Sequence, residues 1–410
     1  MATVPPVRSS SVAALALIAA VVGGSLVLVV ATAAGWLHTG ATKTVVVRSP
    51  AQSAGDANAP VVAAKPLLGN GFQPAQIYRT RAAGVVTIVS YFDAANLPDA
   101  RAGQGSGFVV SRDGLILTNA HVITTAGQGQ AAKTTPARTV YVEFSDGDRV
   151  TATVVGVDLF DDVGVLRVNP AQHALDPVPL GDSSRVVVGE PVAAIGSPFG
   201  NTDSLSVGVV SAIRRSIPSL TTNYDLVDAI QTDAPINHGN SGGPLFDARG
   251  RVIGINAQIR SSGSGSGFEG VGFAVPIDSA RRSLGQLLKT GGVRYAYVGI
   301  KTEDLTPAIA KKFGYAATRG ALVDVVNAGT AAERAGIEPG TRDTVYEGLG
   351  VKVGGDAIVA INGIPVLSAQ DVVRIVTTRL VPGETARFTI VRGKQRRVVG
   401  VTLDERPAAG

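Results

Sequence analysis

The sequence predicts a mostly β protein: two small β-barrels, then a compact α+β domain, all behind an apolar N-terminal helix. Three observations predict it. Between about residues 76 and 290, short β-type runs recur at regular spacing between Gly, Asp, Asn and Ser turn signals, the pattern of sandwiches and barrels. From residue 293 onward the rhythm changes to strands mixed with helical stretches. Near the amino end, the 19 residues from Val12 to Val30 carry no charge, long enough to cross a bilayer. At ~150 residues per domain, 410 residues accommodate two or three folded units.

The elements follow in order. The uncharged stretch runs on past Trp36 to Thr42, longer than an ordinary signal core, and Trp36 sits where an interfacial aromatic belongs. Residues 1–37 are therefore expected to be a retained transmembrane anchor; Ala31-Thr32-Ala33 would also serve as a small-residue cleavage site, the alternative. Residues 38–75, rich in Ala, Pro, Gly, Ser and Asn, read as a flexible linker. Within 76–290 the strand runs are Val85–Tyr91, Gly107–Val110, Leu115–Thr118, Val140–Phe144, Val150–Val157, Val163–Val168, Pro191–Ile195, Val207–Ile213, Val252–Ile255 and Gly272–Val275, enough for two barrels. Ser279–Leu288 looks helical and Gly291-Gly292 ends it. In the last domain, 293–406, Thr330–Gly336 is a short helix closed by Gly, and Ala357–Ile361 is a strand running into an Asn362-Gly363 hairpin signal. Ser368 and Asp371 form a capping box ahead of Val372, Val373, Ile375, Val376 and Leu380, which share one helical face. Ala386–Val391 and Arg397–Leu403 make a closing strand pair.

Composition removes several function classes. The chain has no cysteine, so thiol nucleophiles, Cys-ligated zinc, iron–sulfur clusters and disulfides are excluded. Only four histidines, His38, His121, His173 and His238, argue further against a dedicated metal site. A net charge of +5, 37 basic against 32 acidic residues, is too small an excess to indicate nucleic-acid binding.

Two segments carry chemistry: Thr118-Asn119-Ala120-His121-Val122 and Gly239-Asn240-Ser241-Gly242-Gly243-Pro244. A serine hydroxyl becomes a useful nucleophile when an imidazole removes its proton, and the imidazole needs a carboxylate to fix its tautomer. Glycines around the serine permit a tight turn that aims the Gly239 and Ser241 amides into one hollow, an oxyanion hole. The Gly239-x-Ser241-x-Gly243 spacing also fits the nucleophile elbow of α/β-hydrolases, but those need their histidine after the serine. A subtilisin-like order could use Asp93, Asp99 or Asp113, yet the strand-rich middle lacks that fold's alternating helices. The order His, Asp, Ser remains, as in chymotrypsin-type double barrels. Asp158, Asp161 and Asp162, clustered before Val163–Val168, are the candidate carboxylates.

With these segments assembled, the chain resembles the Deg/HtrA-type serine proteases, a chymotrypsin-like double barrel followed by one PDZ domain. The resemblance rests on Gly105-Ser106-Gly107-Phe108, Thr118 to Val122, Asp161-Asp162-Val163-Gly164-Val165-Leu166, Ala194 to Pro198, Gln231 to Ala234, Ile236-Asn237, Gly239 to Leu245 and Gly272 to Pro276, in order over about 200 residues. It implies Asp162 as the third catalytic residue beside His121 and Ser241. It departs at His238, where many relatives have proline. The pocket wall expected from Ile236, Ala257 and Phe273 has no acidic floor, which favours small or medium aliphatic side chains. Ser261–Gly267 beside that wall reads as a loop. Tyr297-Val298-Gly299-Ile300 looks like a PDZ carboxylate-binding loop, whose amides capture a peptide C-terminus while the peptide adds a strand to the sheet edge. Thr341–Gly355 is longer than the turn many PDZ domains have there. The resemblance further implies misfolded or unfolded polypeptides as substrates in extracytoplasmic protein quality control, at the cell surface or in the periplasm. ATP independence and homotrimers are implied with it, and the chemistry needs no cofactor. The rival readings are a non-catalytic protease-like scaffold that captures peptides and an esterase acting on small molecules.

Overall fold

The computed structural model describes residues 71–93, 102–128, 134–196, 204–222, 224–237, 239–257 and 270–407, all within one unit, Lys65–Gly410. The anchor expected at 1–37, most of the linker, His238 and Ser261–Gly267 lie outside the described residues. Among the described residues, no helix is long and apolar enough to cross a membrane.

A short helix, α1 (Pro74–Arg81), opens the described chain and so takes in the end of the expected linker; Phe72 just before it is 1% exposed. Two closed barrels follow. The first is built from β1 (Val85–Tyr91), β2 (Ala102–Val109), β3 (Leu115–Thr118), β4 (Thr139–Glu143), β5 (Arg149–Asp158) and β6 (Val163–Val168), in the order β1-β2-β3-β6-β5-β4. The second is built from β7 (Pro191–Gly196), β8 (Ser204–Pro218), β9 (Asp225–Thr232), β10 (Pro244–Phe246), β11 (Val252–Ala257) and β12 (Gly272–Pro276), in the order β10-β11-β12-β9-β8-β7. Closure leaves neither barrel an unpaired edge.

The pattern reading did not find β9 and β10. β10 is too short to show alternation, and the β8–β9 ladder shifts register three times, with Arg214 and Asp228 at positive φ of 58° and 66°. Such irregularity breaks the period of two on which strand reading depends. A shared core joins the barrels: Phe108, Leu117, Val163 and Val165 of the first meet Ile195, Phe246, Ile255 and Phe273 of the second. Each fully buried aliphatic side chain there contributes roughly 1.5–3 kcal/mol.

Helix α2 (Ile277–Thr290) buries Ile277, Ala280, Ser283 and Leu287 and ends at Gly291 in the left-handed conformation, φ 75°. The last module contains β13 (Ala296–Tyr297), β14 (Ile300–Leu305), α3 (Pro307–Phe313), β15 (Gly320–Val326), α4 (Ala331–Arg334), β16 (Arg342–Tyr346), β17 (Leu349–Val353), β18 (Asp356–Ile361), β19 (Ile364–Pro365), α5 (Ala369–Arg379), β20 (Thr385–Arg392), β21 (Gln395–Thr402) and β22 (Asp404–Glu405). Its sheet runs β14-β15-β18-β20-β21, with β19 added to β18. The long Thr341–Gly355 segment is a β16–β17 hairpin, its inner side chains Val351 and Val353 packed with Leu305 and Ile309. At α5 the N-cap forms as expected, Ser368 Oγ accepting the Asp371 amide at 3.3 Å, while the Asp371 carboxylate reaches one residue further back, to the Leu367 amide at 2.9 Å. Pairing of β13 with β22 joins the two ends of this module.

Candidate active site

The register of two strands assembles the first half of the site. β3 pairs with β6 so that Thr118 lies opposite Gly164, which sets His121, three residues beyond the one, beside Asp162, two residues before the other. His121 rides on a single 3₁₀ turn, Ala120–Val122. Asp162 Oδ1 accepts the His121 amide at 2.9 Å, and Oδ2 lies 2.7 Å from Nδ1 of the ring. An ionised carboxylate in that position demands the Nδ1–H tautomer, which leaves Nε2 with its lone pair as a base. Asn119 Nδ2 and the Ala120 amide both donate to the Asp162 carbonyl, at 2.9 and 3.2 Å. These contacts hold Asp162 at φ 52°, a left-handed conformation that costs a non-glycine residue about 1–2 kcal/mol.

The three neighbouring aspartates separate by environment. Only Asp162 faces the imidazole. Asp161 takes the Arg282 guanidinium at 2.7 Å. Asp158 turns inward: its Oδ1 accepts the amides of Phe160 and Asp161 at 3.0 and 3.3 Å, and its Oδ2 accepts Ser283 Oγ at 2.6 Å and the Tyr295 hydroxyl at 2.5 Å. Burial, with the neighbouring Asp161 charge, pushes the Asp158 carboxyl up to about 6 against the pull of those donors. Burial likewise drives the Tyr295 phenol well above its usual range, so it stays a donor.

The second half of the site is shaped by what is missing from the side chains. A Cβ on Gly242, at φ 85°, would stand 2.1 Å from the Ser106 carbonyl oxygen and 2.3 Å from Thr118 Oγ1, so the Ser241 loop nests directly against the strand that leads to His121. Gly105 is wedged between Val122 and the Ser241 carbonyl, with 2.7 and 3.0 Å for an added Cβ. Ser241 itself is buried, its carbonyl accepting the Ser106 amide at 2.8 Å. Gly239 has φ 98°, and its carbonyl accepts Ser106 Oγ at 2.5 Å. The Asn240, Gly242 and Gly243 amides donate to Asn237, Asn256 and Asn240 carbonyls, fixing the loop from within. Ser106, visible in the sequence only as part of a glycine-rich strand, thus supports the loop on both sides of Asn240.

Of the expected pocket residues, Ala257 and Phe273 are cross-strand partners on β11 and β12, and Ile236 packs against Gly272 next to Phe273. All three are buried and apolar. In the last module, Gly299 has φ 83° and a Cβ there would strike Thr330 at 2.2 Å. The Val298 and Gly299 carbonyls accept the Ala332 and Asn327 amides, at 2.9 and 2.8 Å, which seats the Tyr297-Val298-Gly299-Ile300 loop over α4. Ile300 then begins β14, a strand at the edge of the sheet whose one strand partner among the described residues is β15. Among the described residues, no group of three or more His, Asp or Glu could hold a metal ion. His173 lies away from this site, stacked on Phe144 at 3.7 Å and paired with Asp146.

Comparison with known proteins agrees with this architecture. The family model of a trypsin-like peptidase domain matches residues 105–255, and that of a PDZ domain matches residues 296–403. The chain is 38% identical over 311 residues to a probable periplasmic serine endoprotease DegP-like from Hahella chejuensis, covering 76% of this chain and 59% of that protein. It is 38% identical over 305 residues to the chloroplastic Protease Do-like 1 of Arabidopsis thaliana, covering 74% and 64%. The chain thus spans about three fifths of the length of these curated relatives. The solved structure of the HtrA-type protease AlgW with tripeptide superposes with a TM-score of 0.65 at 30% identity, covering 82% of this chain and 98% of that one. Architecture, ordered motifs and these similarities together establish that the chain belongs to the HtrA-type family of serine proteases, a trypsin-like peptidase domain joined to a PDZ domain.

Proposed function

We propose that the chain is an ATP-independent serine endopeptidase that cleaves misfolded or unfolded polypeptides outside the cytoplasm, tethered to the membrane by Val12–Val30 and working as a homotrimer. The observation that carries the reading is the Asp162 carboxylate, bonded at once to the amide and the Nδ1 of His121. Ser241 Oγ attacks the scissile carbonyl carbon while His121 Nε2 takes its proton. The amides of Gly239 and Ser241 stabilise the oxyanion that forms. His121 then hands the proton to the departing amine, the C–N bond breaks, and an acyl-enzyme remains on Ser241. Water, deprotonated by the same imidazole, releases the acid and restores the serine. Asp162 stays ionised throughout and stabilises the imidazolium.

Ile236, Ala257 and Phe273 supply an apolar wall, so cuts after small or medium aliphatic residues are expected. The Tyr297 to Ile300 loop and the edge strand β14 suit a peptide C-terminus that adds a strand to the sheet. The periplasmic naming of bacterial relatives supports the extracytoplasmic side.

The test is cleavage of an unfolded, apolar protein by the full chain beside Ser241→Ala. The parent is expected to cleave, predominantly after aliphatic residues, and the variant to lose at least about a thousandfold in rate, since the hydroxyl is the nucleophile. No cleavage by the parent, even with a hydrophobic C-terminal peptide added, would favour a peptide-capturing scaffold.

A further inference from the structure

The turn that bears Asp162 has a second face, away from His121, and that face is held by residues outside both barrels. Tyr295 lies between α2 and β13, and Arg406 follows β22. The β13–β22 pairing brings the two together, with the Arg406 amide donating to the Tyr295 carbonyl at 2.8 Å. The Tyr295 hydroxyl crosses to Asp158 Oδ2, while Asp158 Oδ1 grips the amides of Phe160 and Asp161. Asp162 is the next residue.

Around these contacts the rings form a box. Phe160 of the turn lies 5.2 Å from Tyr295 and 5.6 Å from Tyr224, centroid to centroid. The Arg406 guanidinium sits 5.1, 5.0 and 5.5 Å from the centroids of Phe160, Tyr224 and Tyr295, close enough to interact with all three rings. Its Nε is buried and has no hydrogen-bond partner among the described residues, and the three rings pack around the guanidinium. Arg282, which binds Asp161, reaches the Tyr295 ring at 5.9 Å.

We propose that Tyr295 and Arg406 are positioning residues for the catalytic turn: Arg406, clamped among Phe160, Tyr224 and Tyr295, holds the Tyr295 hydroxyl on Asp158, and Asp158 fixes the backbone that presents Asp162 to His121. Asp162 occupies a left-handed conformation, φ 52°, with hydrogen bonds to the turn on both of its faces, and these set its aim. Removing the outer support leaves substrate contacts intact and loosens only the orientation of the base. The proposal rests on the serine protease reading.

The experiment uses the full chain. Tyr295→Phe keeps the ring and removes the hydroxyl; Arg406→Met removes the cation at similar length; Arg406→Lys keeps a cation. Tyr295→Phe and Arg406→Met are each expected to lower kcat roughly tenfold with KM unchanged, the signature of lost transition-state stabilisation, and Arg406→Lys to recover at least half of that loss. The double variant is expected to be no worse than the weaker single one, because the two act as one unit. The downfield proton resonance of His121 Nδ1 in the resting protein is expected to shift or broaden in both. Arg397→Ala, on an exposed hairpin strand, is expected to change nothing. A kcat within twofold of the parent, a loss confined to KM, or a failure of Lys to rescue while melting falls in step, would overturn the proposal. If the parent does not cleave at all, the protease reading fails, and an unmoved His121 resonance in the variants would separately overturn the positioning role.

Discussion

Both halves of the candidate site are hydrogen-bonded in place, but they differ in what limits each one. On the first barrel, His121 and Asp162 are held by added atoms: side-chain and amide hydrogen bonds at 2.7–3.2 Å converge on the aspartate from His121, Asn119 and Ala120. On the second barrel, the Ser241 loop is hydrogen-bonded to Ser106 as well, but its fit depends on missing atoms: Gly242 leaves the space that lets the loop touch Ser106 and Thr118. The difference teaches where each half is fragile. The first fails when a charge or donor is exchanged, the second when a single carbon is added.

The largest effect should come from the charge. Asp162→Asn preserves size but offers an amide to His121 and favours the wrong tautomer; kcat is expected to fall by about 10⁴ with the melting temperature little changed. Steady-state kinetics beside calorimetry checks this, and a loss under tenfold would mean that the carboxylate does not set the tautomer.

Adding one carbon to the second half comes next. Gly242→Ala is expected to lower kcat by roughly 10²–10³, the cost of spoiling an oxyanion donor, because the new methyl collides with the backbone of β2. Gly147→Ala provides the contrast: its φ of 87° is equally left-handed, but nothing lies within 4 Å of the added Cβ. It should cost about 1–2 kcal/mol of stability by denaturant unfolding and leave kcat alone.

The smallest effect concerns the floor of the turn. The Asp158 carboxyl is pushed up to about 6 in the fold from 3.8, facing Asp161, Tyr295, Ser283 and the more distant Arg282 and Arg406. A raised pKa means that this group's contribution to stability is present in full below pH 4 and is lost as pH rises through about 6. Relative to Asp158→Asn, the parent should therefore lose melting temperature between pH 4 and pH 7. A pH-independent difference would show that Asp158 does not titrate in that window.

Much of the β framework was legible because short runs rich in Val, Ile, Leu and Thr recur with a regular period between Gly, Asp, Asn and Ser turn signals. Val85–Tyr91, Leu115–Thr118 and Val163–Val168 have the bounds read from the pattern. Irregular or very short strands gave no such period, which is why β9 and β10 were invisible, and the β16–β17 hairpin hid because only its inner edge packs. In the site, serine, histidine and glycines were legible by type and order. Asp162 was not separable from Asp158 and Asp161 by local pattern, since all three share one turn. Nothing in the sequence marked Tyr295 as a partner of Asp158, 137 positions away, or tied Arg406 to either.

By itself, then, the sequence determined what short-range chemistry can encode: strand and turn periods, helix caps, the glycine-rich nucleophile segment and the order of His, Asp and Ser. Tertiary structure alone decided which carboxylate meets the imidazole, through the pairing of Thr118 with Gly164, and which distant residues contact Asp158 in the same turn. The reason is physical. A residue's conformational preference is a property of its immediate neighbours, whereas a hydrogen bond between distant segments exists only once the strand register and the packed core have brought its two ends within 3 Å.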